Sequence, residues 1–97
     1  MKPKTYEEFE ATLDQYALPS DWSEPLKSLW FDAKGDWESS HDIAQEIGSP
    51  MGSWIHAYLH RKEGDKWNAK YWYGRAGKPF PEYSLEEELK VLVGANL

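Results

Sequence analysis

The sequence predicts an all-α fold of about six short helices. Residues that favour β-strands are scarce, with two Val, three Ile and two Thr in 97 residues, whereas Ala, Leu, Glu and Lys are frequent. Glycine and proline also interrupt the chain at intervals that match short helices. One domain, residues 1–97, accounts for a chain of this length.

The first two helices are predicted from an apolar stripe and from a cap. Between Thr5 and Ala17 large apolar residues recur every three or four positions and form one helix face. They are Tyr6, Phe9, Leu13 and Tyr16. Ser23 is a favourable N-cap, and Pro25 suits the first helical turn. This second helix is expected to reach Gly35.

Gly-Asp pairs separate the middle helices. Asp36 is expected to cap the third helix, which ends at Gly48 in the left-handed conformation that glycine allows. The fourth helix is predicted from Met51 to Glu63. Its apolar face consists of Trp54, Ile55, Tyr58 and Leu59. Asp65 caps the fifth helix, which ends at Gly77.

The fifth helix is aromatic on more than one side. Tyr71, Trp72 and Tyr73 point about 100° apart, and a surface helix hides only one stripe. At least one of these rings is therefore expected at the surface. Ser84 and Glu87 form a capping box for a last helix over residues 84–94. Its apolar residues are Leu85, Leu89, Leu92 and Val93.

The middle of the chain matches itself at a shift of 29 residues. The shift aligns Gly35-Asp36 with Gly64-Asp65, Gly48 with Gly77, and Pro50 with Pro79. We therefore predict two helix-turn-helix units, residues 23–48 and 51–77, stacked as in a small solenoid and capped by helices at 5–17 and 84–94. An irregular helical bundle is the alternative.

The same region resembles known helical proteins. Asn68 to Ala76 is similar to the second helix of the short-repeat branch of the tetratricopeptide superfamily, where an Ala, a Trp-Tyr pair and a later Ala mediate packing. His41 to Gln45, Trp54 to Asp65 and Asn68 to Ala76 together resemble an uncharacterised family of bacteria and fungi. The resemblance covers about residues 26–77. It implies a tetratricopeptide-like fold and no particular reaction.

All three histidines of the chain lie in this region. His56 and His60 are four residues apart, the spacing at which one helix presents two imidazoles to zinc. His41 can supply a third ligand, with a carboxylate from Glu63 or Asp42, and leave a position open for water. Zinc, manganese and iron are the candidate ions. Two other interpretations stay open: histidines that bond to carboxylates or backbone, and metal-free acid–base chemistry.

A second candidate site lies on the fifth helix. Its predicted ligand-binding residues are Asn68, Tyr71, Trp72 and Arg75. The aromatic rings can wall a groove, and Arg75 can stack on a ring while offering its guanidinium to a carboxylate. The leading hypothesis is thus a non-enzymatic module that binds a protein or peptide. The alternative is a small hydrolase-like enzyme that uses His41, His56 and His60, with Glu63 as the base. A third hypothesis is self-association as a homodimer.

Composition excludes several other classes. Eleven Lys and Arg against 17 Asp and Glu give a formal charge of −6 without a run of basic residues, so neither nucleic acid nor membrane is an expected partner. The chain has no cysteine for a thiolate site. It also lacks a stretch typical of a signal peptide or a membrane span, and a cytoplasmic location is expected. The remaining charges, including an Arg61–Asp65 pair and Glu86 to Glu88, are expected at the solvated surface.

Overall fold

A computed structural model describes residues 2–15, 18 and 20–97, and every regular element in these ranges is a helix. The predicted all-α fold with six α-helices is confirmed. The helices are α1 (Tyr6–Ala11), α2 (Glu24–Ala33), α3 (Trp37–Gln45), α4 (Pro50–Lys62), α5 (Lys66–Ala76) and α6 (Leu85–Gly94), and a 3₁₀ turn (Thr12–Asp14) follows α1.

The first helix is shorter than the sequence pattern predicts. The hydroxyl of Thr12 donates to the Phe9 carbonyl (2.7 Å) and accepts from the Trp30 indole N–H (3.2 Å). A side chain that bonds back to the helix in this way competes with continued α-helix. The chain passes through the 3₁₀ turn and becomes extended at Gln15. Tyr16 and Ala17, the end of the predicted helix, lie outside the described residues.

The two Gly-Asp turns have the same backbone conformation. Gly35 and Gly64 have φ values of +89° and +90°, which glycine adopts at little cost. Asp36 donates its N–H to the Phe31 carbonyl at 2.9 Å, and Asp65 does the same to His60 at 2.9 Å. Each Asp also caps the following helix. These turns make α2–α3 and α4–α5 two helical hairpins, while the longer 29-residue repeat stays a prediction.

The predicted left-handed glycine at the end of α3 is wrong. Gly77 has φ +71°, but Gly48 has no positive φ. The backbone N–H groups of Glu46 and Ile47 instead close right-handed turns on the Ile43 and Ala44 carbonyls, both at 3.1 Å. The close contact in this turn is at Gly52. A Cβ there would lie 2.2 Å from the Ile47 carbonyl oxygen.

The helix α4 is the centre of the fold, because it packs against α2, α3, α5 and α6. Its predicted apolar face is confirmed, since all four residues are buried. Further buried side chains come from the surrounding elements and complete one core. They are Phe9, Trp22, Leu26, Leu29, Trp30, Ala44, Ala69, Tyr73, Leu92 and Val93.

Two buried carboxylates hold other helices to α4. Asp32 of α2 accepts from the Tyr58 hydroxyl (2.7 Å) and from Lys62 (2.8 Å). Burial, together with the Asp32 charge, raises the pKa of Tyr58, so this hydroxyl remains a donor. The other carboxylate is Glu88 of α6, which is fully buried.

The sequence-based placement of Glu88 and Arg61 at the solvated surface is wrong. Glu88 accepts from the Trp54 indole (3.1 Å), from Arg61 (2.8 Å) and from the Tyr73 hydroxyl (2.6 Å). Arg61 also donates to the Tyr83 carbonyl. The expected partner of Arg61, Asp65, instead caps α5. A buried charge needs such a set of partners, and the sequence spacing within one helix does not reveal partners on another.

Candidate metal centre

The structure brings the three histidines together between α3 and α4. The Nε2 atoms of His41 and His56 are 2.9 Å apart, and the His60 ring centroid lies 4.8 Å from that of His56 and 5.5 Å from that of His41. One ligating nitrogen from each ring lies within 4.8 Å of the other two. The three side chains are therefore placed so that they can hold one metal ion.

Two tryptophans form the walls of this cluster. Trp37, one turn before His41 on α3, stacks on the His41 ring with centroids 4.9 Å apart. Trp72 of α5 stacks on His56 at 4.0 Å and 14°. The Trp37 indole N–H donates to the Leu59 carbonyl at 2.9 Å, which fixes that ring against α4. The imidazoles are thus held by packing as well as by hydrogen bonds.

The environment favours neutral imidazoles. His56 is only 7% exposed, and this burial, together with the nearby His41 and His60, lowers the pKa of His56 to about 4. Burial and the charge of His60 also lower the pKa of His41. Desolvation and like charges both disfavour the imidazolium form. At neutral pH, His56 and His41 are therefore in the form that binds metals.

Glu63 orients the third histidine. Its carboxylate Oε2 is 2.8 Å from Nδ1 of His60, so Nδ1 carries the proton and Nε2 is free to ligate. A carboxylate behind a ligating histidine fixes the ring and its tautomer. The sequence offered Glu63 as a ligand or a base, and the structure places it against His60. Asp42, the other proposed carboxylate, is exposed and belongs to neither group of potential ligands among the described residues.

A second group of potential ligands shares His60 and consists of His60, Glu63 and Asp65. Both carboxylate oxygens of Asp65 are already engaged by Asn68, whose backbone N–H donates at 3.2 Å and whose side-chain amide donates at 2.7 Å. These bonds lower the pKa of Asp65 and cap α5. The group with three histidines is therefore the better metal site.

The predicted ligand-binding residues of α5 point in different directions. Tyr71 is 51% exposed, which confirms that one ring of the Tyr71 to Tyr73 run reaches the surface. Trp72 is half-buried against His56, and Tyr73 is buried. Asn68 is half-buried at the start of the helix, where it bonds to Asp65. Arg75 is exposed.

Trp72 connects the two predicted sites. His56 stacks on the Trp72 ring. The Arg75 guanidinium also lies over this ring, 5.3 Å from its centroid. Arg75 donates to the Tyr71 hydroxyl at 3.3 Å. The expected stacking of Arg75 on an aromatic ring is thus observed. The sequence did not indicate that Trp72 faces the histidines. The i, i+4 spacing of Trp37 and His41 could have indicated that Trp37 stacks on His41.

Comparisons with protein-family models, curated proteins and solved structures gave no match for this chain. The resemblance to a tetratricopeptide-like family stays a prediction. Among the described residues, no helix combines the length and apolarity needed to cross a bilayer. Function is therefore argued from the geometry of the site.

Proposed function

We propose that this protein binds one divalent transition-metal ion through His41, His56 and His60. The observation that carries the proposal is the convergence of three imidazoles from two helices, with one ligating nitrogen of each within 4.8 Å of the others. A zinc ion lies about 2.0–2.1 Å from each histidine nitrogen, which puts neighbouring nitrogens of a tetrahedral site about 3.3 Å apart. The three rings therefore have to turn so that nitrogens up to 4.8 Å apart come to that spacing.

Three further features support the site. The lowered pKa values of His56 and His41 mean that an ion competes with few protons at neutral pH. Trp37 and Trp72 hold two of the rings by stacking. Glu63 holds the proton on Nδ1 of His60. The cluster is thus pre-organised before an ion arrives.

Among the candidate ions, the donor set favours zinc and iron over manganese. Imidazole nitrogens suit zinc, copper, nickel and iron, whereas manganese prefers carboxylate and water oxygens. Of the three candidate ions from the sequence, manganese therefore fits least well. Three protein ligands leave at least one coordination position for water or an anion, as in zinc sites with Lewis-acid chemistry.

The proposal is metal binding, and hydrolysis is not part of it. Two cavities, with volumes of about 540 and 370 Å³, lie away from the cluster, and no histidine lines either one. A hydrolase needs a substrate pocket beside its metal. A centre that links α3 to α4 instead suggests an ion that stabilises the fold or exchanges with solution.

Elemental analysis after zinc loading and dialysis tests the proposal. The untagged chain is expected to retain about one zinc per chain, and His56→Ala is expected to retain almost none. Asp42→Asn is the matched control, because it removes an exposed carboxylate beside His41 that lies outside the cluster. Circular dichroism checks that each variant is helical.

If His56→Ala does not fold, His60→Ala provides the same test at a half-buried position. Zinc retention by either folded variant at the level of the unchanged chain would contradict the proposal. So would an unchanged chain that retains no zinc, copper or nickel after loading.

A further inference from the structure

The outer face of α5 carries an exposed aromatic stripe. Trp67 is 79% exposed and Tyr71 is 51% exposed. Because they are four residues apart, both rings lie on one side of the helix. Gly74 continues this side one turn later, and it is also exposed. Tryptophan and tyrosine at such exposure are typical of binding surfaces rather than of a helix that faces only water.

The same face is basic in an acidic protein. From Lys66 to Pro81 the sequence has four basic residues and no acidic one, while the rest of the chain has seven basic and 17 acidic residues. Lys66, Lys70 and Arg75 belong to α5, whereas Lys78 follows the helix and lies over the Trp54 ring, 4.3 Å from its centroid. No ion pair joins any of them to a carboxylate within the described ranges. Their charge is thus available to an external acidic group.

Neither the packing of the described residues nor the backbone conformation requires a glycine at position 74. A Cβ at this position would meet no atom within 4 Å, and the φ of Gly74 is not positive. Glycine inside a helix is less stable than alanine. A glycine on the aromatic stripe leaves room for another backbone to approach α5 closely.

We propose that the α5 face, defined by Lys66, Trp67, Lys70, Tyr71, Gly74 and Arg75, binds an acidic amphipathic helix of a partner protein. The exposed positions 67, 71 and 74 follow the i, i+4, i+7 pattern by which helices recognise one another. From Lys66 to Arg75 the face is about 14 Å long, which a partner helix of about 10 residues covers. Apolar partner residues contact Trp67 and Tyr71, and partner carboxylates pair with the flanking cations.

A polyanion is a weaker candidate than an acidic helix. The chain as a whole has a charge of −6, which repels nucleic acid and anionic lipid beyond the short reach of one helix face. The face also has only three cations, Lys66 and Lys70 on one side of the aromatic stripe and Arg75 on the other, without the wide basic surface that follows a phosphate backbone. A short acidic helix needs to match only these three cations.

Selection from a displayed library of random helical peptides tests the proposal. The bait is the full chain, and selection is run at physiological ionic strength. The enriched peptides are expected to be rich in Asp and Glu with apolar residues at i, i+4 spacing. Their affinity, measured by fluorescence anisotropy, is expected to fall about tenfold in Trp67→Ala and about tenfold in the double variant Lys66→Glu/Lys70→Glu.

Lys2→Glu/Lys4→Glu is the matched control, because it changes the total charge equally at two exposed positions of the N-terminal segment. Its affinity is expected to stay within about twofold of the unchanged chain. Neutral or basic enriched peptides, no enrichment, or equal binding by Lys66→Glu/Lys70→Glu would overturn the proposal. Tighter binding of a DNA duplex or of phosphatidylserine vesicles through Lys66 and Lys70 would also overturn it. Among the described residues, no hydrogen bond, ion pair or ring contact joins Trp67, Lys66 or Lys70 to a histidine, so this result does not depend on the metal site.

Discussion

The Nε2 atoms of His41 and His56 lie 2.9 Å apart, so one ring donates a proton that the other accepts. The two neutral rings must therefore be different tautomers. This hydrogen bond joins α3 to α4 at the position where an ion would bind. Metal binding would replace one hydrogen bond by two coordination bonds and require the donor ring to move its proton to Nδ1.

Stability is expected to fall as the pH drops from about 6.5 to about 4. The pKa of His56 is about 4 in the folded chain, below the value of about 6.5 in an unfolded chain. Between these two pKa values the unfolded state therefore binds more protons than the folded state. The free energy of unfolding then increases with pH and decreases when the pH is lowered. The expected loss is on the order of 2–3 kcal/mol, measured by urea unfolding of metal-free protein.

His56→Gln provides the control for this pH dependence. It removes the titrating ring, so its stability is expected to change less between pH 4 and 6.5, with the remaining slope due in part to His41, whose pKa is also lowered. The carboxyl groups of Asp36 and Asp65 have lowered pKa values and titrate below this window. An unchanged slope in His56→Gln would rule out His56 as the source.

Glu63→Gln is expected to weaken metal binding without changing its stoichiometry. The substitution replaces the carboxylate that orients His60, and loss of such a partner typically reduces metal affinity about 10–100-fold. Isothermal titration with zinc measures the effect. Glu46→Gln, at an exposed position just after α3, should bind as the unchanged chain does. Equal affinities for both variants would show that Glu63 does not position His60.

Arg61→Met is expected to destabilise the fold by about 3 kcal/mol. It leaves the fully buried Glu88 without its cationic partner, and an uncompensated buried charge is unfavourable. Adding Glu88→Gln should recover part of the loss, because the neutral amide does not need a cation. Arg75→Met, at an exposed site, should stay within about 0.5 kcal/mol of the unchanged chain. Similar losses for the two arginine variants in urea unfolding would contradict the role of Glu88.

Two glycine substitutions are expected to have opposite effects on stability. Gly52→Ala places a Cβ against the Ile47 carbonyl and should lower the free energy of unfolding by about 1–3 kcal/mol. Gly74→Ala fills open space and should raise it by about 0.5–1 kcal/mol. Thermal unfolding of both variants measures the difference. An unchanged stability of Gly52→Ala would contradict this prediction and show that the turn between α3 and α4 can move Ile47 away from position 52.

Local sequence signals predicted the helices well. Ser23, Asp36, Asp65 and Ser84 each accept a backbone N–H of the helix that they cap, because capping depends only on residues within one turn. The apolar face of α4 was also correct. The predicted end of α1 was wrong, because this end depends on a hydrogen bond between Thr12 and Trp30 of another helix.

The candidate site was predicted in part. The i, i+4 spacing indicated that His56 and His60 share a face of α4, and His41 was a correct expectation for the third member of the cluster. The direction of Trp72 toward His56 was not foreseen, whereas Glu63 was expected near the cluster as a ligand or base and instead holds Nδ1 of His60. The direction of Trp72 depends on how neighbouring side chains pack once the helices are in place.

The sequence by itself determined the six helices, the Gly-Asp turns and the residue types from which the cluster is built. Caps and apolar periodicity act over a few residues, so the sequence carries them directly, although Gly48 did not take the expected left-handed conformation. Only the tertiary structure decided that Glu88 is buried with Arg61, that Trp72 covers His56, and that Trp67 is left exposed. The relative placement of helices sets burial and charge pairing, and these depend on contacts between residues far apart in the chain.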